Sequence, residues 1–221
     1  MGAEMDALRI LLADDHEVVR RGLRELVETQ AGWQIVGEAT TGREAVEKAR
    51  LLEPDVVVLD LRMPELNGLE ATRQILQLLP RTEILILTVD ESEQLTRSVL
   101  EAGAHGYLLK SDAGRDLITA INSLRQRRPF FTAGVARMVL RGSLEPSGDS
   151  IKGVPGDLLS SREREIVQLL GEGKSNKSVA AALNISVKTA ETHRANIMRK
   201  LNLHNTSDLV HYAVRNGIIV P

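Results

Sequence analysis

The stretch VVVLDLRMPELNGLE, from Val56 to Glu70, joins a run of aliphatic residues to an aspartate and a proline-containing loop. A continuous apolar run of this kind is typical of a strand that is buried on both faces of a parallel sheet. Asp60, at the end of the run, serves no purpose in such a core, because aspartate is rarely buried without a partner. The stretch therefore predicts a buried parallel strand with a chemically functional carboxylate at its tip.

Apolar runs alternate with amphipathic segments from the start of the chain through residue 127. The other strand candidates are LRILLADD, WQIVGEA, TEILILT and GYLLK, and a helical pattern follows each of the five strands. Parallel strands joined by helices through right-handed crossovers form a doubly wound α/β domain. We therefore expect a five-stranded parallel sheet covered by helices.

Composition excludes several classes of protein. Hydrophobic residues make up 43% and charged residues 26% of the 221 residues, which is ordinary for a globular chain. The absence of cysteine excludes disulfides, thiolate zinc sites and cysteine catalysis. No apolar run approaches the roughly 18 residues that a membrane span needs, and no N-terminal signal pattern is present, so we expect a cytoplasmic protein that does not bind membranes.

A second domain is predicted after a change in composition at Gly142, where GSLEPSGDSIKGVPGD reads as a linker behind a short helical stretch, PFFTAGVARMVL. We expect a first domain at residues 1–128, a linker with a short helix at 129–156, and a helical domain at 157–221. Residues 1–155 carry 19 basic and 24 acidic residues, whereas residues 156–221 carry 9 and 6. The basic excess is a weak indication of a polyanionic partner.

Helix-start signals fill the last 62 residues, with no strand pattern among them. Ser160 and Glu163 have the spacing of a capping box, and Ser175 and Ser186 are further N-cap candidates. Asn205 or Thr206 is the candidate for the last helix. The sequence therefore predicts four short helices.

Polar residues follow the strands of the predicted sheet. Asp14 and Asp15 follow strand 1, Asp60 ends strand 3, Thr88 ends strand 4 and Lys110 ends strand 5. Ligands of open parallel sheets bind beyond these carboxyl ends. If strands 1 and 3 are neighbours, their tips stand about 5 Å apart, and one Mg²⁺ with bonds of about 2.0–2.1 Å can bridge carboxylates from both. Individually, these residues have ordinary explanations as helix caps, a strand end and a solvated lysine.

Taken together, the acid pair, Asp60 with Pro64 four residues later, Thr88 and GYLLK resemble the receiver domain of two-component response regulators, over residues 8 to about 127. The resemblance implies a flavodoxin-like fold with strand order 2-1-3-4-5 and phosphorylation of Asp60 by a cognate sensor histidine kinase. It implies Mg²⁺ binding by Asp14, Asp15, Asp60 and the backbone carbonyl of Arg62, phosphoryl binding by Thr88 and Lys110, and a switch role for Tyr107. Beyond phosphotransfer to itself and slow autodephosphorylation, no enzyme activity is implied.

His16 and Ser111 lie next to these site residues in the sequence. His16 is predicted only to start the first helix, since its side chain should leave the strand tip in the helical direction. Ser111 follows Lys110 where many receivers have a proline, often on a cis bond. The sequence leaves the isomer of the Lys110–Ser111 bond open.

The segment from Leu159 to Leu201 resembles a LuxR-type helix-turn-helix, which with the receiver gives the NarL/FixJ class of response regulators. Ala190, Ile197 and Leu201 recur at helical spacing and should face the core. The resemblance places duplex DNA on the opposite face, with base contacts near Glu191, Thr192 and Ala195 and phosphate contacts from Lys188, Arg194, Arg199 and Lys200. Glu191 would either read a cytosine amino group or pair with a nearby cation. The final helix would pair two copies into a homodimer on DNA.

These features predict a DNA-binding transcriptional regulator switched by Mg²⁺-dependent phosphorylation of Asp60. One alternative is an atypical regulator that binds DNA without phosphorylation. A Mg²⁺-dependent phosphatase is a second alternative, although no positioned acid or base and no substrate loop is evident. The linker permits both docked and separated arrangements of the two domains.

Overall fold

The computed structural model of the protein describes residues 7–89, 93–132 and 158–219. These residues form two compact units, one built around a β-sheet and one made of helices. The predicted linker falls mostly outside the described residues, since residues 133–157 are not among them.

The sheet-containing unit alternates strands and helices along the chain. Its strands are β1 (Leu8–Ala13), β2 (Trp33–Ala39), β3 (Val56–Asp60), β4 (Glu83–Thr88), β5 (Gly106–Leu109) and β6 (Phe130–Phe131). Its helices are α1 (Glu17–Glu28), α2 (Gly42–Leu52), α3 (Gly68–Leu78), α4 (Glu93–Glu101) and α5 (Ala113–Arg125), with a 3₁₀ turn at Lys110–Asp112.

All six strands are parallel, in the order β2-β1-β3-β4-β5-β6. This arrangement confirms the doubly wound sheet and the order of the five expected strands. β3 is buried along its whole length because it lies inside the sheet, with helices covering its faces. The aliphatic run that precedes Asp60 is therefore a core strand.

The sixth strand was not expected. Phe130 and Phe131 pair with Gly106 and Tyr107 of β5, and the Phe130 N–H donates to the His105 carbonyl at 3.1 Å. The prediction of a helical stretch is therefore wrong at these two residues, while the part of that stretch beyond Thr132 lies outside the described residues. β6 forms because the outer edge of β5 has backbone groups available for hydrogen bonds. The sequence did not indicate this strand, since two residues are too few to show the alternation of a strand.

The helical unit contains α6 (Ser161–Gly171), α7 (Asn176–Ala182), α8 (Val187–Lys200) and α9 (Thr206–Arg215). The side chains of Ser160, Ser175, Ser186 and Asn205 cap these four helices, and Ser160 with Glu163 forms the predicted capping box. The four predicted helices and their N-caps are thus confirmed, and Asn205 rather than Thr206 caps the last one. Their core includes Ile166, Leu169, Val179, Ala190, Ile197 and Leu209.

Candidate functional site

Four adjacent strands bring the predicted site residues to one edge of the sheet. Asp14 follows β1, Asp60 ends β3, Thr88 ends β4 and Lys110 follows β5. These strands are consecutive in the sheet, so their carboxyl ends form a continuous edge. We call the group of Asp14, Asp15, Asp60 and Lys110 the acidic edge.

Lys110 lies between the two most buried carboxylates of the acidic edge. Its Nζ is 2.7 Å from Asp14 Oδ2 and 3.1 Å from Asp60 Oδ1. Burial by itself would lower the pKa of Lys110, but the hydrogen bond to Asp14 and the charges of Asp60 and Asp14 outweigh burial and raise that pKa. Lys110 therefore remains a cation and offsets part of the negative charge.

The charge of Lys110 does not fully offset the cost of burying the ionised Asp60, whose side chain is 3% exposed. Burial, followed by repulsion from Asp14, raises its pKa from 3.8 to about 6, although Lys110 and the backbone N–H of Arg62 act in the opposite direction. The Oδ2 atom of Asp60 is buried and accepts no hydrogen bond within the described part of the chain. A buried, unpartnered carboxylate oxygen is costly unless a cation or a donor meets it.

The acidic edge offers the ligands that a divalent cation requires. Asp14, Asp15, His16 and Asp60 each have a ligand atom within 4.8 Å of those of the others. The carboxylate oxygens suit Mg²⁺, which is usually held by one or two carboxylates and keeps several waters. Arg62, predicted to add its carbonyl, lies two residues after β3, and its N–H bonds the Asp60 carboxylate. The residues present therefore fit a hard divalent cation.

His16 lies closer to the acids than predicted. It is the N-cap residue of α1, as expected for a helix start, but its side chain makes no capping bond. Its ring turns back instead, placing Nδ1 2.6 Å from Asp15 Oδ1 and 3.3 Å from Asp14 Oδ1. Because the backbone of this N-cap residue is extended (φ −90°, ψ 110°), its side chain does not point in the direction that side chains within a helix take. The sequence signal that could have found this placement is the triplet Asp14-Asp15-His16 itself.

Thr88 and Tyr107 occupy adjacent strands behind the acidic edge. Thr88 is 1% exposed and pairs with Leu109, directly before Lys110. Tyr107 is fully buried and pairs with Ile86, two residues before Thr88. Since residues two apart on a strand share a face, Tyr107 and Thr88 lie on the same side of the sheet. The two residues of the predicted switch therefore lie on one face of adjacent strands, and their switch role stays a prediction.

In the helical unit, α8 has a buried and an exposed side. Ala190 and Ile197 are buried, and Leu201 packs against the same core. Of the predicted contact residues, six are exposed: Lys188, Glu191, Thr192, Ala195, Arg199 and Lys200. All of these except Lys200 share the face away from the core, and a major groove is wide enough to admit such a helix.

Comparison with known proteins accounts for both units. The family described as "Response regulator receiver domain" matches residues 10–122, and "Bacterial regulatory proteins, luxR family" matches residues 157–213. The chain belongs to the two-component response regulators. It has the receiver and the LuxR-type DNA-binding domain of the NarL/FixJ class, and such proteins act in transcription regulation.

Relatives of this response regulator match it over nearly the full length. The transcriptional regulatory protein LiaR of Bacillus subtilis (strain 168) is 39% identical, over 96% of this chain and 99% of LiaR. Response regulator UvrY of Escherichia coli (strain K12) is 36% identical, over 96% of this chain and 95% of UvrY. A solved structure described as two RcsB dimers bound to two parallel DNAs is 27% identical, covers 93% of this chain and 96% of RcsB, and has a TM-score of 0.56.

Two predicted phosphate contacts of this response regulator have partners within the helical unit. Arg194 is half-buried and donates to Thr206 Oγ1 at 2.8 Å and Asn176 Oδ1 at 3.4 Å, which ties α8 to the starts of α9 and α7. Lys200 Nζ lies 2.8 Å from Glu163 Oε2. Lys188 and Arg199 are exposed, and Arg199 bonds only the neighbouring Asn196 among described residues. Lys188 and Arg199 are therefore the cations most available to a phosphate backbone.

Glu191 lies on the exposed face of α8 and makes no ion pair with any described residue. A structural pairing with a nearby cation, one of its two predicted roles, therefore has no support in the part of the chain that the structure describes. Within the described ranges, no helix of this response regulator is both long enough and apolar enough to cross a bilayer.

Proposed function

We propose that a cognate sensor histidine kinase phosphorylates Asp60 in a Mg²⁺-dependent reaction, and that the phosphorylated form changes its binding to duplex DNA. The observation that carries this proposal is the buried Asp60 carboxylate, with one unpartnered oxygen, beside Asp14 and Lys110. A structural aspartate at a strand tip would satisfy both oxygens, whereas a nucleophile needs one of them free.

The chemistry follows from the charges of the acidic edge. At neutral pH Asp60 is mainly ionised, since its pKa is about 6. One carboxylate oxygen forms a bond to phosphorus while the bond from phosphorus to the donor's imidazole breaks, and the electron pair leaves with the imidazole. Lys110, 3.1 Å from Asp60, remains beside the transferred oxygens, and the Thr88 hydroxyl at the neighbouring strand end donates to them. When bound, Mg²⁺ neutralises charge on the transferring group.

The proposed residue roles are those that the resemblance implied. Asp14, Asp15, Asp60 and the carbonyl of Arg62 would bind Mg²⁺, and Tyr107 would respond to movement of Thr88. We propose residues 1–128 as the receiver, 129–156 as the linker and 157–221 as the DNA-binding domain, in a cytoplasmic protein that is not a turnover enzyme. The RcsB dimers on DNA support a homodimer and duplex DNA as partners. Phosphorylation would act by shifting a pre-existing conformational equilibrium.

Incubation of the full-length protein with Mg²⁺ and a small acyl phosphate should add one phosphoryl group to the wild type and none to the Asp60→Asn variant. Asparagine keeps the shape of the side chain but lacks the nucleophilic oxygen. Intact-mass measurement detects the adduct directly. Glu17→Gln, which changes an exposed acid on α1, is the matched control and should be phosphorylated like the wild type.

The same samples separate the alternatives. An adduct in the Asp60→Asn variant would contradict Asp60 as the acceptor, and multiple turnovers of a phosphoester would favour the phosphatase. If the phosphorylated and unmodified wild type bind duplex DNA with equal affinity, the atypical regulator, which binds without phosphorylation, replaces the proposed switch.

The Arg199→Ala variant should bind duplex DNA more weakly at every sequence, with the slope of log affinity against log salt reduced by about 1. Arg199 is exposed on α8 and would contact phosphate, so a generic duplex suffices for the test. Fluorescence anisotropy across a salt series measures both quantities. Arg215→Ala, an exposed cation at the end of α9, should leave the slope unchanged, and equal slopes for both variants would contradict the proposed interface.

A further inference from the structure

We propose that the acidic edge also binds a late first-row transition-metal ion, with Zn²⁺ as the representative, through the ring of His16 together with the carboxylates, and that this ion inhibits phosphorylation. The proposed inhibition rests on the proposed phosphorylation of Asp60. The proposed binding of the metal ion stands on geometry alone.

The position of the His16 ring relative to the acids is the first observation. Nδ1 is 2.6 Å from Asp15 Oδ1 and 3.3 Å from Asp14 Oδ1. Ligand atoms of a tetrahedral ion with bonds of about 2.0–2.1 Å lie about 3.4 Å apart, so a small opening of the shorter contact lets one ion bind the nitrogen and both oxygens. The backbone supports this position, because the His16 N–H donates to Asp14 Oδ1 at 2.8 Å and no capping bond uses the ring.

The second observation is the unpartnered Oδ2 of Asp60, which is independent of His16. Asp60 is almost wholly buried, and its ligand atom lies within 4.8 Å of those of Asp14, Asp15 and His16. Lys110 contacts Oδ1 of the same carboxylate and so leaves Oδ2 for a second cation. The site thus combines a buried carboxylate oxygen that lacks a partner, Asp60 Oδ2, with the exposed ring nitrogen of His16.

Ligand chemistry then distinguishes two kinds of ion. Mg²⁺ takes oxygen ligands and retains water, so it gains little from an imidazole. Zn²⁺, Cu²⁺ and Ni²⁺ bind imidazole well and, by the general order of stability, bind mixed nitrogen and oxygen sites more tightly. His16 should therefore raise affinity for these ions with little effect on Mg²⁺.

Coordination number explains the inhibition. Zn²⁺ with four protein ligands is a closed site, and Asp14, Asp15, His16 and Asp60 supply four. Ligand atoms of a tetrahedral Zn²⁺ lie about 3.4 Å apart, so separations of up to 4.8 Å must shrink by as much as about 1.4 Å. Rotation of the solvent-facing side chains of Asp15 and His16 can supply most of this change. A closed site leaves no position for a phosphoryl oxygen, whereas Mg²⁺ keeps water positions that such an oxygen can take.

Isothermal titration calorimetry of the metal-stripped full-length protein with Zn²⁺ and with Mg²⁺ tests metal selection. The His16→Gln variant should lose at least about tenfold in Zn²⁺ affinity, the low end of what loss of a metal-site partner costs, and should change Mg²⁺ affinity by less than about twofold. His105→Gln is the matched control, because His105 also lies beside a carboxylate, 3.2 Å from Glu83, but directly before β5. It should change neither affinity.

A spectroscopic measurement identifies the ligand. Among the five histidines, the ring resonances of His16 should shift first in proton NMR as one equivalent of Zn²⁺ is added. Equal Zn²⁺ affinity in wild type and His16→Gln, or a first shift at another histidine, overturns the assignment. An equal loss of Zn²⁺ and Mg²⁺ affinity also overturns it, since His16 would then only position the acids.

The inhibition has its own measurement. Stoichiometric Zn²⁺ in excess Mg²⁺ should suppress phosphoryl uptake from an acyl phosphate in the wild type but not in His16→Gln. If neither protein is phosphorylated with Mg²⁺ alone, the proposed function fails while calorimetry and NMR still decide the metal site. Suppression of equal extent in both proteins overturns the role of His16 in inhibition.

Discussion

The Asp60→Asn variant should be more stable than the wild type by about 3 kcal/mol in the absence of metal at pH 8. The reason is the pKa of Asp60, which rises from 3.8 to about 6 because the ionised carboxylate is buried beside Asp14. This rise in pKa means that ionising Asp60 costs about 3 kcal/mol more in the folded state than in the unfolded state. Asparagine removes the charge while keeping the size of the side chain. Denaturant unfolding of the full-length protein, followed by fluorescence of the single tryptophan, Trp33 on β2, measures the sheet-containing unit.

The gain should depend on pH in a defined direction. Because the folded pKa lies above the unfolded value, Asp60 is protonated in both states below about pH 4 and carries no penalty there. The penalty grows between about pH 4 and pH 6 and is complete above that range. The difference in unfolding free energy between the variant and the wild type should therefore be near zero at low pH and reach a plateau by about pH 7.

Mg²⁺ should reduce the stability difference between Asp60→Asn and the wild type, and should reverse it only at concentrations on the order of several hundred times the dissociation constant of Mg²⁺. A cation that binds only the folded state adds stability in proportion to the logarithm of its concentration, and Asp60→Asn lacks one of its ligands. Asp15→Asn is the control for a less buried acid of the same edge, and should change stability by less than about 1 kcal/mol without metal.

Equal stabilities of wild type and Asp60→Asn at pH 8 without metal, or a stability difference that does not vary with pH, would contradict the prediction.

The Gly68→Ala variant should lose about 3 kcal/mol or more of stability and most of its phosphoryl uptake. A Cβ at position 68 would lie 2.3 Å from the Asp60 carbonyl oxygen and 2.8 Å from the Leu61 Cα. These are backbone atoms, so no side-chain rotation relieves the clash, and overpacking of this kind costs 1–3 kcal/mol or more. The first turn of α3 would move away from Asp60 and take with it the bond from the Gly68 N–H to the Leu61 carbonyl.

Gly22→Ala separates this effect from a general response to replacing glycine. Gly22 lies within α1, and a Cβ there would meet nothing within 4 Å. Alanine in a helix interior is favoured over glycine by about 0.5–1 kcal/mol, so this variant should gain stability and retain phosphoryl uptake. Tryptophan fluorescence and intact mass measure the two properties. A Gly68→Ala protein as stable and as active as the wild type would show that the loop after β3 tolerates displacement.

Local patterns explain why much of the fold could be predicted. The aliphatic run of β3 shows burial on both faces through its own composition, and Ser160 with Glu163 shows a helix start through a spacing of three residues. The acids and Lys110 could be assigned to one edge because parallel strands place their carboxyl ends together. Each of these inferences needs only neighbouring residues and a general rule of topology.

Other features depend on distances between residues far apart in sequence. β6 exists because the outer edge of β5 pairs with Phe130 and Phe131, and two residues carry no period of their own. Arg194 had the composition of a phosphate contact, yet the fold gives it Thr206 and Asn176 as partners. Nothing near Gly68 in the sequence indicates that the Asp60 backbone passes 2.3 Å from its missing Cβ.

The sequence by itself determined the two domains' fold classes, the strand and helix order and the identity of the acidic residues, because these are encoded in periodicity, caps and strand ends. Only the tertiary structure decided the charge state and surroundings of those acids. The raised pKa of Asp60 needs both burial and the approach of Asp14, and the inward turn of the His16 ring needs the backbone angles of one N-cap residue. Electrostatic energy depends on separation and solvent exposure, and both are properties of the folded chain.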